Sequence, residues 1–178
     1  MPTELTAIPI PPNGKADLVV YEKPVGDLRL IRLLPNDPFT RKLFPAFVER
    51  CIDFLEVANS DADEIWLGAL LYNNFNQATN YIHCLVALNN KDEIRAHAFS
   101  YLENNQKLGI HVHVLQIWKS EGSSEIIDEG MKAIEDYARE TKCKTITYSA
   151  DSVAKLRLYQ KYGFSLHRVL GKKELKDG

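Results

Sequence analysis

The stretch Ser149-Ala-Asp-Ser-Val-Ala-Lys-Leu-Arg-Leu-Tyr-Gln-Lys-Tyr-Gly-Phe164 constrains the fold more than any other part of the chain. It reads as a strand end, a short helix from Ser152 to Tyr162, a glycine stop and a new strand beginning at Phe164. Val153, Leu156 and Tyr159 recur at helical spacing, with Ala154 and Leu158 beside them. The periodicity predicts one buried side and leaves Lys155, Arg157 and Lys161 in water. Gly163 is the left-handed residue that ends the helix. A strand, a helix and a strand in such quick succession make a crossover, which sets parallel strands side by side.

The rest of the chain supplies the remainder of a sheet. Leu28 to Leu34 alternates as a first strand and ends at Pro35-Asn36-Asp37-Pro38, where Asp37 caps a helix and Pro38 fills its first position. That helix runs to about Ala58, with Leu43, Phe47, Cys51, Phe54 and Leu55 on one face and Pro45 as a potential kink. A second helix, Ala62 to about Tyr72, presents Ile65, Trp66, Ala69 and Leu70. Tyr81–Leu88, Glu93–Leu102 and Gly109–Trp118 form two successive hairpins, turning at Asn89–Asp92 and Asn104–Lys107. A helix from Glu125 to about Thr141, a strand from Lys144 to Ser149, the helix described above and a strand from Phe164 to Leu170 complete the order β-α-α-β-β-β-α-β-α-β. This is an α+β fold with a mixed sheet. Residues 28–178 form one domain, as expected for a chain of 178 residues. Residues 1–27 carry Pro2, Pro9, Pro11, Pro12 and Pro24 and read as an extended arm, with Leu18–Tyr21 as one short strand within it. A solvated tail and a segment laid along this domain or a neighbour both fit that composition.

Composition narrows the function classes. The formal charge of −2 offers no basic field for nucleic acid. No apolar run reaches the ~20 residues of a membrane span, and no leader-like segment opens the chain. Cys51, Cys84 and Cys143 have no metal-ligand spacing and read as buried thiols of a reducing, cytoplasmic compartment. No metal site is expected.

Leu158-Tyr159-Gln160-Lys161-Tyr162-Gly163-Phe164 resembles the Leu-Tyr-x-Lys-x-Gly-Phe signature of the Gcn5-related N-acetyltransferases (GNAT), and the strand order is similar to theirs. The resemblance covers roughly residues 28–170. It implies that acetyl-CoA lies where two parallel strands splay apart, with its pyrophosphate on the loop before the following helix. Lys119-Ser120-Glu121-Gly122-Ser123-Ser124 stands at that loop. It departs from the family pattern in Lys119 and Ser124, and Trp118 runs into it directly. Unpaired N–H groups at a helix N-terminus receive phosphate oxygens, and Gly122 permits close approach. Glu121, Glu125, Asp128 and Glu129 would oppose the phosphates. Within Val114–Trp118, the resemblance assigns backbone contacts with the pantetheine arm, at Leu115 and Ile117. Ser152 occupies the position where the family often has a cofactor-binding Asn, and either contacts the coenzyme or caps the helix.

The resemblance makes Tyr159 the donor to the departing thiolate, a role open to a phenol of pKa about 10; Tyr162 reads as structural. The general base is not legible. His111 and His113 share one strand face, His83 and His97 lie on the other two middle strands, and Glu103 is a carboxylate candidate. His113 is the histidine we take forward. The expected activity is acetyl transfer from acetyl-CoA to an unidentified small-molecule or protein amine. The alternative is a catalytically inactive protein of the same fold, serving in binding or in a homo-oligomer or assembly, with the N-terminal arm contacting a partner.

Overall fold

The computed structural model describes residues 21–57, 63–120, 124–149 and 153–165. Its elements are β1 (Glu22–Val25), β2 (Leu28–Arg32), α1 (Pro38–Val57), α2 (Glu64–Asn76), β3 (Ile82–Leu88), β4 (Ile94–Asn105), β5 (Gly109–Lys119), α3 (Glu125–Glu140), β6 (Ile146–Tyr148) and α4 (Val153–Gln160). They build the expected mixed α+β sheet, ordered β1-β2-β3-β4-β5-β6. Every neighbouring pair is antiparallel except β5 and β6, which are parallel.

Helices cover both faces. Leu30, Leu85, Val112 and Val114 pack against Ile134 and Tyr137 of α3 and Tyr159 of α4. The opposite face, with Ile31, Val86 and Phe99, packs against Phe47 and Cys51 of α1 and Leu67 and Leu71 of α2. The start of α1 is built as the sequence implies. The Asp37 carboxylate accepts from the Thr40 N–H at 3.0 Å, and the Thr40 hydroxyl donates to the Leu34 carbonyl at 2.7 Å. The start of α1 is thereby tied to the chain leaving β2. Pro45 lies inside α1 on its exposed side, where a carbonyl that loses its helical partner faces water.

Four expectations are corrected. The sheet begins at Glu22, inside the stretch read as the arm. Pro24 is compatible with that strand because β1 is an edge, so one side of it needs no ladder donor. Asn104 and Asn105, read as turn, extend β4 and pair with Ile110 and Gly109. In α2 the buried residues are Leu67, Leu71 and Phe75, while Ile65 is 83% exposed. In α4 Tyr159 is the buried residue and Val153 is 65% exposed. Most of the Leu18–Tyr21 strand, residues 166–170 of the last strand and the rest of the arm lie outside the described residues.

Candidate active site

The parallel pairing of β5 and β6 covers Val112–Ile146, His113–Thr147 and Val114–Tyr148, and stops there. β5 continues to Lys119 with β4 as its partner. The register of that partnership breaks at the same point: Ser100 faces Val114, Phe99 faces Gln116, and Leu115 stands between them without an opposite residue. This is a β-bulge, which bends the strand and takes one backbone unit out of the ladder. It also turns two successive side chains to one face. Leu115 packs with the α1/α2 core, and the Gln116 amide donates to the Cys51 carbonyl of α1 at 2.9 Å. Of the two strand residues expected to contact the pantetheine arm, Leu115 is therefore the bulged residue, while Ile117 pairs with Ala98 and packs toward α3.

Beyond the bulge the chain reaches the start of α3. Lys119 ends β5 opposite Ala96. Ser120 directs both its N–H, at 2.8 Å, and its hydroxyl, at 3.0 Å, to the Arg95 carbonyl, prolonging the contact with β4. Glu121, Gly122 and Ser123 lie outside the described residues, as does Ser152. Ser124 precedes α3 in helical conformation and makes no side-chain cap hydrogen bond. The helix is held by other means. Asp128 accepts from the Tyr162 hydroxyl at 2.6 Å, while Glu129 pairs with Lys23 at 2.5 Å and Lys132 at 2.7 Å. Two of the acids that would repel phosphate thus have partners of their own. Glu129 consequently titrates below the usual carboxylate range, through its hydrogen bonds to Lys132 and Lys23. A cleft of about 20 Å³, room for roughly one water, separates Ala96, Ile117 and Lys119 from Ile126, Ile127 and Gly130 of α3.

Tyr159 of α4 is buried in the core on the α3 side of the sheet. Its ring stacks on Tyr148, the last residue of β6, with centroids 3.4 Å apart, and meets the Phe164 edge at 5.4 Å. Gly163 follows at φ +82°, and the Phe164 N–H returns to the Tyr159 carbonyl at 3.2 Å. The glycine stop read from the sequence is therefore what turns the chain back over Tyr159.

The histidines occupy the α1/α2 side of β5. His111 lies opposite Glu103 across the hairpin, and its Nε2 is 3.1 Å from Glu103 Oε2; its Nδ1 is 2.9 Å from the Gly109 carbonyl oxygen. His113 lies opposite Tyr101, one residue before the pairing with β6 ends. Its Nδ1 is 2.9 Å from the Thr147 hydroxyl of β6 and 3.8 Å from Glu103 Oε2. Burial lowers its pKa, with Glu103 opposing and His111 reinforcing the shift. A neutral imidazole at this position can accept a proton. Sequence reasoning did not single out Tyr101, Tyr81 or Thr147 in this cluster, although the alternation and the hairpin turn together imply the cross-strand neighbours. His83 and His97 are placed elsewhere: His83 stacks on Tyr137 of α3, and His97 is packed under α1. Among the described residues no metal-binding group of His, Cys, Asp and Glu is assembled, and no helix is long and apolar enough to cross a membrane.

The sheet is mixed, its one parallel pair ends beside a bulge, and a helix N-terminus follows. The chain has the fold of the Gcn5-related N-acetyltransferases. A predicted acetyltransferase from Clostridium acetobutylicum, solved with acetyl-CoA, superposes with a TM-score of 0.64 at 16% identity, over 83% of this chain and 96% of that one. An aminoglycoside 6'-N-acetyltransferase from Acinetobacter baumannii gives 0.58 at 14%, over 84% and 99%. Glucosamine-6-phosphate N-acetyltransferase from Arabidopsis thaliana gives 0.56 at 13%, again over 84% and 99%. No protein-family model matches the sequence, and no curated protein matches it.

Proposed function

We propose that this protein is an N-acetyltransferase that moves the acetyl group of acetyl-CoA to the amine of a small molecule. The observation that carries this reading is the coincidence of two breaks at one point: β6 pairing ends at Val114, and the β4 register shifts at Leu115. A bulged backbone N–H is a donor released from the ladder, suited to a thioester carbonyl oxygen. In the proposed site the pantetheine arm runs along Leu115–Ile117. The pyrophosphate takes the loop Lys119, Glu121, Gly122, Ser123 and Ser124, with Ser120 completing its backbone and Ser152 proposed as a further donor.

The reaction forms the bond between the amine nitrogen and the acetyl carbon and breaks the bond between that carbon and sulfur. His113, kept neutral by burial, takes the proton that the amine loses. Tyr159 gives its phenolic proton to the thiolate and recovers one from solvent.

Acetyl-CoA at 100 times its dissociation constant should add about 2.7 kcal/mol of stability. Tyr159→Phe retains the ring stack on Tyr148, so it should lower kcat by about 100-fold while leaving acetyl-CoA affinity within about twofold. Absence of any thermal shift at millimolar acetyl-CoA rejects the reading.

A further inference from the structure

The α1/α2 side of the proposed site has a chemistry of its own. It is assembled from three elements on the α1/α2 face of the sheet. β5 contributes His113, which meets Tyr101 of β4 edge to face at 5.5 Å between centroids. Tyr101 in turn touches Trp66, at the first turn of α2, at 6.1 Å, and Tyr81, beside the start of β3, at 6.2 Å. Trp66 is 40% exposed, and its neighbour Ile65 is among the most exposed large apolar residues described. These positions explain why the first turn of α2 departs from the expected buried face: its apolar side chains extend the aromatic surface to solvent and do not enter the core.

Glu103 is the carboxylate of the cluster, 43% exposed, and its contacts with His111 and His113 both use Oε2. The charged group acting on Tyr81 and Tyr101 is Glu103 in each case, and burial with Glu103 keeps both phenols protonated and able to donate. No lysine or arginine among the described residues figures in the electrostatics of Tyr81, Tyr101 or His113. Such a surface can meet one ammonium group, through a carboxylate and ring faces. Asp63, whose carboxylate accepts from the Ile65 and Trp66 N–H groups, and Glu64 flank the Trp66 end, and ring faces line the path between them and His113.

We infer that the acceptor is an amine on an apolar, aromatic-compatible body, with its nitrogen at Glu103 and His113 and its body along Tyr101 and Trp66. The inference rests on the N-acetyltransferase reading and deepens it. It separates this chain from the glucosamine-6-phosphate and aminoglycoside enzymes whose fold it shares.

The test uses the full chain and three acceptors, 2-phenylethylamine, kanamycin and glucosamine-6-phosphate, with thiol release from acetyl-CoA as the readout. Calorimetric titration with acetyl-CoA alone runs alongside. The expected result is a kcat/KM for 2-phenylethylamine at least about tenfold above that of the other two. Glu103→Gln and Trp66→Ala should each raise its KM by about tenfold, with the acetyl-CoA dissociation constant changed less than about twofold. If acetyl-CoA binds and kanamycin or glucosamine-6-phosphate is used equally or better, the inference falls and the N-acetyltransferase reading stands. If acetyl-CoA does not bind, that reading falls, and direct titration with 2-phenylethylamine decides the rest. Binding that Glu103→Gln weakens supports the amine site; no binding overturns it.

Discussion

Acidification from pH 7 to pH 5 should cost this protein about 2 kcal/mol through one side chain, His97. The ring is 4% exposed. It stacks on Trp118 at 5.5 Å and meets the edges of Phe47 and Phe54 of α1, each at 5.9 Å. Gln116 sets the tautomer. Its Nε2 is used on the Cys51 carbonyl, so its Oε1 is left to accept from His97 Nε2 at 3.2 Å. The second proton must then arrive at Nδ1, which is buried without a hydrogen-bond partner. Burial lowers the pKa from 6.5 to about 4, with Gln116 opposing and the Arg50 guanidinium adding to the shift.

In the unfolded chain the ring titrates near 6.5, so between that pH and about 4 the unfolded state binds a proton that the folded state refuses. Stability is therefore full above about 6.5, declines as the pH falls, and levels off below about 4 after a loss of about 3 kcal/mol, of which about 2 is reached at pH 5. His83 is also lowered, by burial and then by Arg32, so the wild-type loss exceeds the His97 share. The discriminating measurement is urea unfolding at both pH values for the wild type and His97→Phe. The variant keeps a ring among the aromatics and is less stable at pH 7, because Gln116 Oε1 loses its donor. Its loss between pH 7 and pH 5 should be smaller by about 2 kcal/mol. Equal losses in the two proteins refute the reasoning.

The phase of α2 gives a paired test: Leu67→Ala, at a fully buried position, should cost about 2–5 kcal/mol in urea unfolding, and Ile65→Ser should stay within about 0.5 kcal/mol of wild type. Tyr162→Phe removes the donor to Asp128 and should cost about 1–2 kcal/mol, read as a drop in the thermal midpoint. In spectrophotometric titration of the wild type, the same phenol should ionise late, since burial and then its bond to Asp128 push its pKa up to about 12.

These tests bear on what the sequence disclosed and what it withheld. α3 was legible because its apolar residues Ile126, Met131, Ile134 and Tyr137 are separated by charges, so the period of the pattern has contrast. α2 lacked that contrast. Ile65, Trp66, Leu67, Leu70, Leu71, Tyr72 and Phe75 are apolar nearly all round, and only the packing of α1 and β3 selects Leu67, Leu71 and Phe75 as the inner set. Pro24 misled in a different way. A proline argues against a ladder, but the ladder of an edge strand has one unused side, and edge position is a property of the assembled sheet. Tyr159 and Gly163 were legible as the end of a helix. That the Tyr159 ring lies flat on Tyr148 depends on where β6 stops, which no local pattern records.

The bulge is where local reading fails for a structural cause, and it organises both sides of the site. From Asn105–Gly109 to Tyr101–His113 the hairpin keeps one register, so Glu103 faces His111 as the turn alone requires. Past Leu115 the register is shifted by one residue, and Phe99 faces Gln116. Strict alternation from His113 would send Gln116 to the α3 face and Ile117 to the α1 face. The inserted residue reverses both. Gln116 can then reach the Cys51 carbonyl and hold His97, while Ile117 packs against α3. The polar anchor of α1 and the unmatched register position of Leu115 therefore follow from a single extra residue. In sequence that residue is one more leucine in an apolar strand; its effect exists only through the pairing of β5 with β4 and β6.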